Sequence, residues 1–171
     1  MIRAAAALAA LALAAGCGYH VAGRADLVPK SVKTIAVPSF GNATIRYKLA
    51  DRLAAAVTRE LISRTRYQVV ADPNQADAIL SGSVVNYNAY PTVFDDRTGR
   101  ASGVLAIVQL QISLQDRATG KLIYSRPYLE FRERYEISVD QVAYFDESDT
   151  AMQRLSRDVA RAVVSSILEM F

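Results

Sequence analysis

The sequence predicts an α+β fold, a two-layer sandwich in which a mainly antiparallel (mixed) β-sheet of about four to five strands carries two helices on one face. Residues 104–114 alternate apolar and polar side chains, which is typical of a strand with one buried face. Residues 44–64 and 152–167 instead repeat apolar side chains at helical spacing. Short turn-forming segments separate the later strands, and strands joined by short hairpins are antiparallel.

The strands are predicted from β-branched and apolar runs bounded by turn residues. Pro38 closes the first run, and Ala118-Thr119-Gly120 forms a tight turn before the last one, with Gly120 free to adopt positive φ. The polar segment 91–102 is expected to form a hairpin loop. The predicted strands are residues 32–37, 67–70, 77–90, 104–114 and 121–137.

Two helices are predicted, and both are amphipathic. The first is expected from about Thr44, as its N-cap, to Arg64, and the second begins at the acidic residues 146–149, because the helix macrodipole favours acids there. Their apolar stripes are expected to cover the same sheet face. The stripes are Leu49, Leu53, Val57 and Leu61 in the first helix and Met152, Leu155, Val159, Val163 and Ile167 in the second. The basic residues off the first stripe, interpreted as a solvated face, are Lys48, Arg52, Arg59 and Arg66.

The N-terminus has the organisation of a secretory signal peptide. Arg3 precedes an Ala/Leu run over residues 4–15, which is too short to span a bilayer. The four residues 14–17, Ala-Ala-Gly-Cys, resemble the lipobox of bacterial lipoproteins, with Ala14 where Leu is usual. The resemblance implies that Cys17 is lipid-modified after cleavage of the signal. Cys17 is the only cysteine, so an intramolecular disulfide is impossible.

The expected organisation is therefore a cleaved signal peptide over 1–16, a lipidated N-terminus and tether over 17–31, and a single α+β domain over 32–171. Several acyl chains would anchor such a protein stably, because each buried CH₂ contributes about 0.8 kcal/mol. In Gram-negative lipoproteins a residue other than Asp after the lipidated Cys, here Gly18, favours transfer to the outer membrane.

Composition argues against several classes of protein. The chain has 20 basic and 17 acidic residues, and removal of Arg3 with the signal leaves 19 against 17, a net charge of +2. That balance is too mild to indicate nucleic-acid binding. With one His and one Cys, we expect no metal site, and the absence of a Gly-rich phosphate loop leaves no expected cofactor.

Four short motifs, in this order behind the lipoprotein signal, carry a resemblance that spans essentially all of the mature chain. They are Cys17-Gly18-Tyr19-His20, the segment from Lys33 to Asn42 that contains Val37-Pro38-Ser39-Phe40, Tyr67-Gln68-Val69-Val70, and Ala76-Asp77-Ala78-Ile79-Leu80-Ser81-Gly82. The chain resembles the LPS-assembly lipoprotein family, LptE. The resemblance implies a non-enzymatic protein on the periplasmic side of the outer membrane. Such proteins bind, help to fold and plug a β-barrel partner, LptD, and contact lipopolysaccharide.

Lipopolysaccharide phosphates and sugar acids require Arg or Lys. The loop 91–102 lies at one end of the long strands and the turn 118–120 at the other. Arg97 and Arg100 at the loop tip are the favoured candidates, although beside Asp95 and Asp96 they could serve loop solubility alone. Arg117 and Lys121 at the opposite tip are the second choice. Some members of the family carry a Lys shortly before the last helix, where residues 143–146 here contain no basic side chain.

Two other interpretations remain open. The motif order also resembles domains of secretion-channel and Tol-system proteins, which would make the chain an envelope adaptor for another outer-membrane partner. An enzyme would need paired carboxylates in a cleft, or a nucleophile with a base. The first acidic group, Asp95-Asp96, is expected in a loop. The second consists of Glu130, Glu133 and Glu136. Glu130 and Glu136 flank arginines on the outer face of a strand, so ion pairs explain them better than catalysis does.

Overall fold

The computed structural model describes residues 28–96, 99–137 and 141–169. Within them the chain forms six strands and two α-helices, with one 3₁₀ turn at Pro73–Gln75. In chain order the elements are β1 (Thr34–Ala36), β2 (Gly41–Asn42), α1 (Tyr47–Arg64), β3 (Gln68–Val70), β4 (Ala78–Phe94), β5 (Ala101–Asp116), β6 (Leu122–Glu136) and α2 (Gln141–Glu169).

The sheet is mixed, with the strand order β3-β1-β4-β5-β6, and β2 also pairs with β4. The pairs β1–β3, β1–β4 and β2–β4 are parallel and short, whereas β4, β5 and β6 form a long antiparallel meander. The prediction of a mainly antiparallel, mixed sheet with two helices on one face is confirmed. The strand beyond the expected four to five is β2, whose two residues leave too little pattern to detect.

The core lies between one sheet face and the two helices. Along β5 every second side chain from Val104 to Leu114 is buried, as the alternation predicted. Both predicted helical stripes are buried too. The helices run side by side in the same direction, because Arg52 and Arg64 of α1 reach Asp149 and Ser165 of α2 at the two ends of the contact. One sheet face is therefore covered, and the other carries the alternate residues of β5, which are Leu105 and Ile107 near one end and Gln109, Gln111, Ser113 and Gln115 along the rest.

The start of α1 differs from the prediction. The helix begins at Tyr47 after Arg46, and Thr44 is not its N-cap. Instead, Asn42 Oδ1 accepts hydrogen bonds from the backbone N–H (2.9 Å) and hydroxyl (2.8 Å) of Thr44, and Thr44 Oγ1 accepts from the Arg46 N–H at 3.2 Å. These local hydrogen bonds occupy the side chains of Asn42 and Thr44, which could otherwise cap a helix. The turn therefore extends further along the chain before the helix starts.

The start of α2 was also predicted wrongly. The helix begins at Gln141, five residues before the acidic cluster 146–149, and no acid lies in its first turn. Residues 141–145, which the prediction left between the last strand and this helix, are therefore helical. Acidic side chains are favoured at the start of a helix but are also tolerated inside one, so their position could not fix the boundary.

The β4–β5 hairpin is longer than predicted, and its loop is shorter than 91–102. Strand β4 continues to Phe94, with Pro91 opposite Val104. A proline inside a strand is tolerated at an edge. Among the described residues β4 pairs on its other side only as far as Val84, so beyond that point its free edge needs no N–H from Pro91.

The three family-like motifs that lie within the described residues occupy the short parallel corner of the sheet. A Cβ at Gly82 would lie 2.6–2.8 Å from ring atoms of Phe40, so only glycine leaves room for that ring. Asp77 Oδ2 accepts hydrogen bonds from the backbone N–H groups of Lys33 (2.8 Å) and Thr34 (2.9 Å) at the start of β1. These residues fix how β1 enters the sheet, which is an architectural role.

Candidate binding surfaces

A hydrogen-bonded polar network crosses the uncovered sheet face. Glu130 of β6 is its centre: Oε2 accepts from the Tyr128 hydroxyl at 2.7 Å and from Gln109 Nε2 of β5 at 3.1 Å, and Oε1 accepts from Arg132 Nε at 2.8 Å. Asn86 Nδ2 of β4 donates to Gln109 Oε1 at 3.4 Å. Three adjacent strands thus hold one network of fixed donors and acceptors.

The network controls the charge of its central carboxylate. Hydrogen bonds from Tyr128, Arg132 and Gln109 lower the pKa of Glu130 from 4.5 to about 2. The same contact raises the pKa of Tyr128, chiefly because its hydroxyl donates to Glu130. Glu130 is therefore ionised and Tyr128 is a neutral donor at neutral pH. Glu130 and Arg132 form the ion pair that the sequence favoured over a catalytic carboxylate pair.

The second surface is the end of the β4–β5 hairpin, which combines apolar and basic groups. Val93 and Phe94 are more than half exposed (56% and 57%), and Tyr90 is 50% exposed. Of the predicted binding residues, Arg100 lies here in the exposed loop, where its carbonyl accepts from the Asp95 N–H at 2.8 Å. Arg97 lies outside the described residues.

A cleft at the start of α1 lies in the same half of the domain. It encloses about 470 Å³ and is lined by Arg46, Lys48 and Arg52 together with the exposed Ile45 and Tyr47. The Arg46 guanidinium lies 4.9 Å from the ring centroid of Tyr87 in β4, and Arg52 is paired with Asp149. That pairing holds the pKa of Asp149 below its ordinary value. The sequence did not lead us to predict this surface, although the apolar side chains of Ile45, just before α1, and Tyr47, at its start, lie outside the apolar stripe of that helix and could have indicated it.

The second-choice candidates lie at the opposite turn. Arg117 Nε donates to the carbonyl of Ala76 at 2.6 Å, so this guanidinium holds the turn against the start of β4. Lys121 is exposed. Strand β5 spans 16 residues, which corresponds to about 50 Å, so Arg100 and Arg117 cannot share one ligand headgroup. Cys17 lies outside the described residues.

Two further classes of site are absent from the described part of the chain. No group of three or more His, Cys, Asp or Glu side chains there could hold a metal ion. None of its helices is long and apolar enough to cross a membrane.

The architecture, with a long antiparallel meander, two parallel helices on one face and one uncovered face, defines a small two-layer α+β domain. The family model LptE, "Lipopolysaccharide-assembly", matches residues 32–167. The chain belongs to the LptE family, and it is thus a lipopolysaccharide-assembly lipoprotein from a non-enzymatic family. The resemblance drawn from the short motifs is confirmed.

Several solved structures share the fold. Lipoprotein B from Nitrosomonas europaea is 12% identical over 81% of this chain and 84% of its own, with a TM-score of 0.58. The rare lipoprotein B from Shewanella oneidensis is 16% identical over 76% and 92%, with a TM-score of 0.50. The PelC dodecamer from Paraburkholderia phytofirmans is 18% identical over 80% and 89%, with a TM-score of 0.56. Identities this low show the fold alone. The search of curated proteins gave no match.

Proposed function

We propose that this chain is an outer-membrane lipoprotein that binds, helps to assemble and plugs an LptD-type β-barrel from the periplasmic side, and contacts lipopolysaccharide during its transport. The observation that carries the proposal is the polar network around Glu130 on the uncovered sheet face. Lumens of large outer-membrane barrels are lined by polar side chains. A face whose donors and acceptors are already fixed loses little side-chain entropy when it docks on such a wall.

The barrel proposal is tested by purifying the chain from its native outer membrane in mild detergent and identifying its partners by mass spectrometry. A stoichiometric large β-barrel with a periplasmic domain would support the proposal. Recovery of a secretin-like ring or a Tol-system component, with no such barrel, would overturn it in favour of the adaptor interpretation.

For lipopolysaccharide we favour the hairpin end. Arg97 and Arg100 supply charge for phosphates, while Val93, Phe94 and Tyr90 supply the apolar surface that an amphiphile needs. Arg117 at the opposite turn is already bound to a backbone carbonyl, which leaves its guanidinium fewer free donors.

The two ends are compared with matched double charge reversals, Arg97→Glu with Arg100→Glu, and Arg117→Glu with Lys121→Glu. Both change the net charge equally. We expect the hairpin-end variant to bind purified lipopolysaccharide about ten-fold more weakly, since two charged contacts are reversed. A loss confined to the Arg117/Lys121 variant would contradict this assignment.

The organisation of the N-terminus is part of the proposal. Residues 1–16 act as a cleaved signal, Cys17 carries the lipid anchor, residues 17–31 form the tether, and residues 32–171 form one domain. Cys17→Ser should abolish incorporation of labelled palmitate and release the chain from the membrane fraction. Retention of both label and membrane association in that variant would contradict the anchor assignment.

A further inference from the structure

The outer side of the helix layer carries a groove that the family motifs and the sheet face do not involve. It runs along the contact between α1 and α2, encloses about 440 Å³, and lies on the side of the molecule away from the polar sheet face. Its lining residues are Arg52, Ala55, Arg59, Gln153, Ser156 and Arg157. We call it the interhelix groove.

The groove holds three guanidiniums and no acidic lining residue. Arg52, at one edge of the groove, pairs with Asp149. Within the described ranges Arg59 and Arg157 form neither an ion pair nor a hydrogen bond, and both residues are exposed. Besides Arg52, four arginines of the described residues have carboxylate partners. These pairs are Arg64–Glu60, Arg132–Glu130, Arg154–Glu133 and Arg161–Asp158.

The lining residues restrict what can bind. The floor consists of small or polar side chains such as Ala55 and Ser156, and Ser156 donates its hydroxyl to the Met152 carbonyl of its own helix. No aromatic or large apolar side chain lines the groove, so it offers neither a stacking platform for sugar rings nor a wall for acyl chains. Guanidiniums match carboxylates in planar, two-point contacts.

We propose that the interhelix groove binds an acidic peptide segment of a partner protein, with its carboxylates on Arg59 and Arg157. The Arg52–Asp149 pair shows the same chemistry made within the chain at the rim of the groove. The proposal adds a second protein-binding surface, and it does not depend on which protein binds the sheet face.

The probe is a fluorescein-labelled eight-residue peptide with four Asp alternating with Ser, and its binding to the purified mature chain is measured by fluorescence anisotropy. Arg59→Glu with Arg157→Glu is compared with a control of equal charge change, Arg66→Glu with Arg134→Glu. Both control residues are exposed and lie outside the groove lining. Circular dichroism verifies that both variants are folded.

We expect the groove variant to bind the peptide at least about ten-fold more weakly than the wild type, and the control to stay within about three-fold. Equal weakening in both variants would reduce the effect to net charge and overturn the proposal, as would an absence of peptide binding by the wild type. Purified lipopolysaccharide is the competing probe. If its binding, and not that of the peptide, depended on Arg59 and Arg157, the groove would be a glycolipid site and the peptide assignment would be wrong.

Discussion

The short parallel corner of the sheet and the uncovered face of its antiparallel meander are built from different parts of the sequence, and these parts differ in what their side chains do. At the corner, Phe40, Asp77 and Gly82 belong to motifs that resemble the family, and each of them holds one backbone segment against another. On the uncovered face, Gln109, Tyr128 and Glu130 belong to no motif, and they form the network that we propose docks on a barrel. The residues that carry the resemblance to the family therefore stabilise the fold, while those that we propose act on partners lie elsewhere.

The largest effect is expected at the corner. Gly82→Ala places a methyl group 2.6–2.8 Å from the Phe40 ring, which must move within a packed core. Overpacking of this kind costs about 1–3 kcal/mol, which thermal unfolding will detect. Ser81→Ala, at the neighbouring exposed residue, is the control and should leave the melting temperature nearly unchanged. Equal melting temperatures for Gly82→Ala and wild type would show that the Phe40 contact is not what fixes this corner.

The next effect concerns pH. Hydrogen bonds from the backbone N–H groups of Lys33 and Thr34 lower the pKa of Asp77 below its ordinary value of 3.8. A depressed carboxyl pKa contributes stability that is fully present above 3.8 and is lost as the pH falls through the folded-state pKa. In urea unfolding, Asp77→Ala should therefore be less stable than the wild type at pH 7, and the difference should shrink below pH 3.8. A difference that is constant down to acidic pH would exclude the carboxylate as its source.

On the sheet face the expected effect is on binding and not on folding. Glu130→Ala removes the acceptor shared by Tyr128, Gln109 and Arg132. The network lies at the surface of the uncovered face, so we expect a small change in stability and a marked loss of copurifying barrel. Glu136→Ala, an exposed position on the same face of β6, is the control. If the two variants recovered equal amounts of barrel, the network would have no part in docking.

The smallest effect on folding is expected at the hairpin end. Phe94 is 57% exposed, so Phe94→Ala should change the free energy of unfolding by no more than about 0.5 kcal/mol. Lipopolysaccharide binding should nevertheless weaken, because an apolar contact is lost. A loss of stability comparable to that of Gly82→Ala would mean that the hairpin end is part of the core.

Periodicity predicted the parts of the fold that follow one physical rule over many residues. The alternation from Val104 to Leu114 and the stripe from Leu49 to Leu61 both proved to be buried. The predictions for Thr44 and for the acids 146–149 failed because capping residues also serve in turns and inside helices. Pro91 was read as a loop residue because sequence does not show that β4 lacks a second neighbour there.

The candidate binding surfaces were harder to predict from the sequence than the fold was. Charge and loop position indicated Arg100 at an exposed end, but they could not show that Arg117 is bound to the carbonyl of Ala76. The network around Glu130 depends on the register that sets Gln109 opposite Glu130, which a single sequence does not specify. The interhelix groove depends on the relative direction of two helices that are separated in the chain by the 76 residues 65–140.

The central claim is that the uncovered sheet face contacts the barrel, and site-specific photocrosslinking tests it most directly. Gln111 is exposed on that face, beside the network, and can be replaced by a photoreactive residue with little effect on folding. Irradiation of cells should give a covalent adduct between this position and an LptD-type barrel, and the yield should fall when Glu130→Ala is added. Copurification of the barrel with no adduct from Gln111 would contradict the account, because the protein would then bind its partner through another surface.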